Sequence, residues 1–299
     1  MDDFAQRAWR LILHREPDED AAGRLERGEV SRARLVRELV ESREFERVEL
    51  LDDGLARALA ERLKDGRPRE LVAPAWADER ALEIPWALAR YRGQRRVLDV
   101  GYAFAEPAYL EGLSALGAEE LVGVDLAEAD VPGLRSVVAD VRELPFESGT
   151  FDFALCISTL EHVGRDNAVY SVDAKHEEDG DAAALRELRR VLAKDGRLLV
   201  SVPTGERDDQ GWQLQRTPDD WINIFERAGF VIYEDELYLH APDGWRTATL
   251  DEARHARYGG HTAGAVLLAE LHPSSAGEKL RLAVRDVKHR GEIRRSTSA

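Results

Sequence analysis

From residue 96 onward the chain alternates short apolar runs with amphipathic or polar stretches. Runs at 96–100, 121–125, 135–139, 153–157 and 197–202 have the length and composition of strands, and helical periodicity or polar loop lies between them. Strand alternating with helix predicts βαβ units and a parallel sheet. Two more strand patterns, near 230–235 and 264–271, finish a sheet of seven. The segment "DAAALRELRRVLAKDG" puts Leu185, Leu188, Val191 and Leu192 on one helical face, with Gly196 as its C-terminal stop. "TPDDWINIFERAGF" opens with Thr, Pro and two Asp and ends at Gly229, a full set of helix start and stop signals.

Ahead of that pattern the chain is helical in period. "FAQRAWRLILHREPDEDAAG" carries Phe4, Ala8, Leu11 and Ile12 near helical spacing, and Pro17-Asp18 breaks it and offers a cap. Ser31 then caps "RARLVRELVES", with Leu35, Val36, Leu39 and Val40 on one face. The expected organisation is a helical module over 1–50, connecting helices over 51–92, an α/β domain over 93–272 and a basic tail over 273–299. The fold class is α/β, a doubly wound, mostly parallel seven-stranded sheet with a small N-terminal helical domain.

Composition narrows the function. A net charge of −16 argues against a nucleic-acid partner, because neutralising phosphates takes a concentrated basic face. No apolar run approaches the roughly 18 residues of a membrane span, and the acidic start Met1-Asp2-Asp3-Phe4 lacks the basic leader of a secretory signal. Cys156 is the single cysteine, which forbids an intrachain disulfide and fits a reducing compartment. A cytoplasmic location is expected.

The chemistry concentrates in "VLDVGYAFAE", where strand 96–100 runs into a loop. A dinucleotide loop requires G-x-G-x-x-G, so that backbone approaches a pyrophosphate. Here those positions hold Gly101, Ala103 and Glu106. A carboxylate at the last position repels pyrophosphate, which makes NAD or FAD a poor fit and a Rossmann dehydrogenase a weak alternative. S-adenosylmethionine presents a zwitterionic methionine arm instead, for which the small residues Gly101, Ala103 and Ala105 leave room. Tyr102 and Phe104 turn either to the core or over the ligand. Asp99 ends the apolar strand and is read as a ligand residue. Asp125, followed by Leu126, ends "LVGVDL" where a carboxylate accepts both ribose hydroxyls. Asp140 ends "VVADVRELPF", placed for the adenine amino group beside the Val141 amide. Cys156 and Ile157, at the exit of the fourth strand, offer backbone to the amino-acid arm, and nothing marks Cys156 as a nucleophile. In a doubly wound sheet these ends converge where the strand order reverses.

The run "VLDVGYAFAE … GVDL … ADVRELPF … FDFALCISTLEHV … ELRRVLAKDGRLLVSVP" resembles the class I SAM-dependent methyltransferase family, in particular bacterial members encoded near polysaccharide and glycosyltransferase functions. The resemblance covers residues 93–272, with Asp99, Gly101, Asp125, Asp140 and Leu160-Glu161-His162 on motif positions. Tyr102, Ala103 and Ala105 depart from the common DxGCGxG, and Asp195 from the usual KPGG turn. It implies a Rossmann-like methyltransferase fold, S-adenosylmethionine as cofactor and S-adenosylhomocysteine as product. "LILHREPDEDAAG" followed by "LVRELVESREF" is similar to a small bacterial helical repeat, distantly like phycobilisome linkers, which implies a protein partner for the N-terminal helices.

Methyl transfer to a hydroxyl leaves the protein to align the reactants, exclude water and remove a proton. Histidine in general titrates near neutrality, which makes His162, just past the fourth strand, a candidate base, set against a packed histidine that only supports the pocket. Glu161 is the weaker candidate base. "GRDNAVYSVDAKHEEDGD" is a long polar insertion expected over the acceptor, with Tyr170, Lys175 and His176 as contacts. Asp166, His176, Glu177 and Glu178 lack a diagnostic metal spacing, so no metal is assigned. Trp212 and Trp245 lie in loops where they stack on a sugar or fill the core. By family resemblance the acceptor is a sugar or glycan-linked hydroxyl. The alternatives are a small natural product or lipid acceptor, or a SAM-binding scaffold with little catalysis.

Overall fold

Val97, Leu98 and Val100 are buried in β1 (Arg96–Val100), as are Leu121, Val122 and Val124 in β2 (Glu120–Asp125) and Phe153 to Cys156 in β4 (Phe151–Ile157). Such near-continuous apolar runs are what central parallel strands show. The computed structural model describes residues 3–13, 15–17, 19–65, 71–168, 176–259 and 262–275. The expected cap at Asp18, the insertion contacts Tyr170 and Lys175 and the tail from residue 276 lie outside the described residues.

With β3 (Leu134–Val138), β5 (Leu192–Thr204), β8 (Phe230–Ala241), β9 (Gly244–Thr247) and β10 (Ala265–Pro273), the sheet has the order β3-β2-β1-β4-β5-β10-β8-β9. The strands from β3 to β5 pair in parallel, and β10 runs antiparallel between β5 and β8. The fold is α/β and Rossmann-like, and its strand order reverses between β1 and β4. The sheet has eight strands rather than seven, because the chain turns at Pro242-Asp243 and β9 lies along the edge beside β8. A two-stranded hairpin, β6 (Asp208–Asp209) with β7 (Leu214–Gln215), stands outside the main sheet and left no periodic signal, each strand being two residues long.

The helix read from "DAAALRELRRVLAKDG" is α7 (Gly180–Val191), with Leu185, Leu188 and Val191 in the core. It ends before Gly196. Leu192 turns extended (φ −76°, ψ 138°) and pairs with Phe151, so the early part of β5 absorbs the residues expected to continue the helix. α8 (Pro218–Arg227) follows its signals: the Thr217 side chain accepts from the Asp220 N–H, and Gly229 takes φ +93°.

The chain divides into two units. One comprises Met1–Tyr91, Ala105–Leu116 and Pro242–Arg246; the sheet strands β1 to β5, β8 and β10 belong to the other. In the first, α1 (Asp3–Leu13), α2 (Glu19–Glu26) and α3 (Arg32–Val40) surround Ala5, Ala8, Trp9, Leu13, Val30, Leu35 and Leu39. The buried stripe of α1 runs 5-8-9-13, which leaves Leu11 79% exposed instead of inward. Val40 is likewise exposed, while Ser31 caps α3 as expected by accepting from the Arg34 N–H at 3.3 Å. Residue 50 falls inside the long α4 (Arg43–Asp65), so no break separates a first module from connecting helices there. α5 (Arg80–Ala89) is buried from Ala81 to Ala89, and α6 (Pro107–Ser114) completes the unit. Trp245 is buried with its indole N–H on the Ala77 carbonyl (2.9 Å), a packing role that removes it as a sugar platform.

Across β5 and β10 lies a buried charge pair. The Arg197 guanidinium donates two hydrogen bonds of 2.8 Å to the fully buried Glu270, whose Oε1 is 2.8 Å from His272 Nε2. Burial pushes the Glu270 carboxyl up, but the hydrogen bonds from His272 and Arg197 and the charges of Arg197 and Arg92 outweigh it, lowering it to about 2. A depressed carboxyl stabilises the fold above its unfolded pKa and loses that contribution as pH falls through the folded value. Glu270→Gln is therefore expected to lower the melting temperature at neutral pH. The gap to the parent protein should close between pH 4.5 and about 2 in thermal melts. A gap independent of pH would contradict this assignment.

Candidate active site

Gly101 follows β1 with φ +89°, and its N–H donates to the Val124 carbonyl at 2.9 Å. A Cβ built there would sit 2.2 Å from Thr159 Oγ1, so a side chain is excluded by conformation and by contact. The Thr159 hydroxyl is 2.9 Å from the Ile157 carbonyl and 3.1 Å from that of Val100, which ties the exit of β4 to the loop. Tyr102 is fully buried against Gly123, its hydroxyl 2.5 Å from Ser136 Oγ. Its side chain belongs to the core, which corrects its assignment as a cofactor contact. Phe104 stays 52% exposed.

Asp125 closes the loop from the other side. Its Oδ2 accepts the Ala103 N–H at 2.9 Å, and Oδ1 accepts the N–H groups of Leu126 (2.7 Å) and Ala127 (3.4 Å). The Asp125 carbonyl takes the Ala139 N–H at 2.9 Å, which brings the tip of β3 beside that of β2. Asp140 follows at once. Its carboxylate is gripped by Arg142, with contacts of 2.5–3.0 Å from Nη2 and Nε, and Arg142 also reaches Glu177 at 3.0 Å. Val141 is buried in the main core. Asp140 thus has a cationic partner that the expected adenine role did not include. Glu177 is committed to the same guanidinium, and among the described residues no group of three His, Cys, Asp or Glu side chains is arranged to hold a metal.

Asp99 is 1% exposed, two residues ahead of Gly101. Cys156 lies in both ladders, opposite Val100 on β1 and Val200 on β5, so its backbone serves the sheet rather than a ligand. Burial raises its thiol well above the usual range, and the carboxylates of Glu161 and Asp99 push it further. It stays protonated, which excludes a thiolate nucleophile. Ile157 pairs with Ser201, and Ser158 then turns sharply with φ +41°, the one non-glycine residue with positive φ among the described residues.

That turn delivers Glu161 and His162 on a single 3-10 turn (Leu160–His162). Glu161 is 3% exposed, and the His162 side chain 14%, with His162 Nε2 3.8 Å from Glu161 Oε1. His162 Nδ1 is 2.9 Å from the carbonyl of Trp212, and the imidazole stacks on the Trp212 indole with centroids 5.1 Å apart. A carbonyl only accepts, so Nδ1 carries the proton and the neutral ring has its lone pair on Nε2. Arg165, 5% exposed, holds Asp209 at 3.0 Å and the Glu178 carbonyl at 3.1 Å. Tyr258 meets Trp212 edge-on at 6.4 Å. Thr159, Arg165 and the β6–β7 hairpin were not read from the sequence. Arg165 and Asp209 are 44 positions apart with nothing local to link them. Arg142, two residues after Asp140, was the one member with a local signal.

Residues 42–233 match the profile described as a methyltransferase domain. The chain belongs to the methyltransferase-domain family. Among curated proteins an uncharacterized protein of Methanocaldococcus jannaschii is 37% identical over 111 residues, 35% of this chain and 42% of the relative, so less than half of that relative's length is spanned. Among solved structures, the 1,6-didemethyltoxoflavin-N1-methyltransferase of Burkholderia thailandensis, with bound 1,6-didemethyltoxoflavin and S-adenosylhomocysteine, is 18% identical with a TM-score of 0.44, covering 77% of this chain and 90% of its own. An S-adenosylmethionine-dependent methyltransferase of Mesorhizobium loti is 17% identical with a TM-score of 0.41, covering 62% and 94%.

S-adenosylmethionine is the cofactor of a methyltransferase domain of this kind, and the donor set fits it. Three carboxylates, Asp99, Asp125 and Asp140, stand at adjoining strand ends beside a loop of small residues. A carboxylate offers about four lone-pair positions, and Asp125 gives three of them to backbone, one only on Oδ2. Oδ2 retains capacity for a ribose hydroxyl. Asp125→Ala is expected to weaken S-adenosylmethionine binding by ~1–3 kcal/mol, measured by titration calorimetry. An unchanged dissociation constant would refute the ribose contact.

Proposed function

We propose that this methyltransferase transfers the methyl group to a hydroxyl of a sugar or glycan-linked acceptor, with His162 as general base. The observation that carries the reading is the orientation of His162: Nδ1 is committed to a backbone carbonyl, so Nε2 is the basic atom, and it lies beside a buried carboxylate. When bound, S-adenosylmethionine supplies an electrophilic methyl on a sulfonium. Asp125 holds the Ala103 amide, and through it the loop, in the conformation that receives the adenosine end. Asp140, fixed by Arg142, accepts from the adenine amino group beside the Val141 amide. His162 Nε2 takes the proton of the acceptor hydroxyl, and the Glu161 carboxylate favours the imidazolium that results. The aromatic rings of Trp212 and Tyr258 beside this base, together with the polar side chains of Asp208, Asp209 and Gln210 on the hairpin, support an acceptor that presents both an apolar face and several hydroxyls.

We infer further that the N-terminal helices contact a protein partner, with the exposed Leu11 of α1 as the feature that favours it. No described helix is long and apolar enough to cross a membrane.

The test of the reaction is incubation with methyl-labelled S-adenosylmethionine and a panel of sugar, glycan, lipid and small aromatic hydroxyl acceptors. Label transfer to a sugar hydroxyl is expected. His162→Ala should lower turnover ~10²–10⁴-fold with cofactor affinity nearly unchanged. Cofactor binding with no acceptor labelled would leave a scaffold role, and loss of cofactor binding in His162→Ala would assign that residue to packing.

A further inference from the structure

The segment after β5 is tied at several points to β5, to α7 and to the residues that follow the 3-10 turn. Thr204 and Gly205 both bond the Arg216 carbonyl at 3.0 Å, and Arg216 pairs with Asp181 of α7 at 2.7 Å. The Asp166 N–H donates to the Gly211 carbonyl at 3.0 Å, and Arg165 holds Asp209. Five links from three segments fix the β6–β7 hairpin, and its tip carries Trp212 against His162. A wall fixed in this way sets the direction and the charge preference of the ring it touches.

We propose that Trp212 is the positioning residue of the base. Its main-chain carbonyl selects the tautomer of His162 with the proton on Nδ1, and its indole face, stacked on the imidazole at 26° between ring planes, favours the charged ring over the neutral one. Indole and the Glu161 carboxylate act on the imidazolium together. Among the described residues, the other titratable or charged groups near the turn include Asp99 and the protonated Cys156 on β1 and β4, the Arg165–Asp209 pair, the Asp181–Arg216 pair and Tyr258, with no charged side chain from the adjoining end of β5. The two pairs are internally balanced, and Trp212 and Glu161 are the groups set directly beside the ring. The proposal rests on His162 as the base for its consequence in catalysis, but not for its physical test.

That test is NMR of the full chain with ring-labelled histidines, read with S-adenosylhomocysteine present, the His162 signals being assigned by their loss in His162→Gln. Neutral His162 should show a protonated Nδ1 and a lone-pair Nε2; the opposite tautomer overturns the proposal. In Trp212→Ala the tautomer should persist, since the carbonyl remains, while the His162 pKa falls by about 0.5–1 unit. An unchanged pKa in a variant that keeps its melting temperature and S-adenosylhomocysteine affinity overturns it. Should Trp212→Ala fail to fold, Trp212→Phe carries the measurement, with a smaller fall in the same direction expected and no fall overturning the proposal. The acid limb of the kcat/KM profile separates the two claims. If it moves with the NMR value, both stand; if the NMR value moves and the limb does not, the positioning contact stands and His162 is not the base.

Discussion

Three backbone N–H groups converging on the carboxylate of Asp125 are the constraint on which the site depends. The bonds from Ala103, Leu126 and Ala127 join the loop after β1 to the exit of β2, and the Asp125 carbonyl adds the start of the segment after β3. Each such bond to an ionised acceptor is stronger than a neutral one. Without them, the single glycine of the loop would leave Ala103 and its neighbours free to choose among several conformations. Gly101 suffices as the sole glycine of the loop because it is the residue there with a left-handed φ, and Thr159 fills the space that a side chain on it would need.

The sheet was legible because its signal is collective. Leu98, Val122, Ala154 and Val200 are buried in short apolar runs that alternate with helical periodicity, so a mostly parallel sheet followed from the pattern. The limits of individual elements were less legible. α7 stops at Val191 because Leu192 gains a partner in Phe151, a pairing across 41 positions that helical periodicity does not contain. The stripe of α1 was misjudged by a fraction of a turn, placing Leu11 inward, since Ala5 and Trp9 rather than Phe4 and Leu11 define its inner line. In the site, carboxylates at strand ends announced themselves. The residues that fix the surroundings of the turn did not, because Thr159 and Arg165 matter only through contacts with distant segments, and Trp212 was read only as a sugar platform or core residue. Tyr102 shows the converse, a position in the right motif whose side chain serves the core.

The chain is strongly acidic, and it places several of its shielded arginines against carboxylates. Arg142 with Asp140, Arg165 with Asp209, Arg197 with Glu270 and Arg216 with Asp181 are the inner examples, each guanidinium mostly shielded from solvent. Their planar forks make several directed bonds at once, which Lys does not. Pairs of this kind add little when exposed but are costly to break when buried. Three of them fix what surrounds the carboxyl edge of the sheet, while Arg197–Glu270 ties β5 to β10, so a chain with net charge −16 still holds its charges in a defined arrangement.

Cys156 is the chain's lone sulfhydryl, and it is sealed in the middle of the sheet in its protonated form. Alkylating reagents find nothing to modify on the native fold. A thiol introduced by substitution at an exposed position such as Leu11 would therefore take up a fluorophore or spin probe alone. The molecule comes with a silent background for spectroscopy, and no native residue has to be removed to use it.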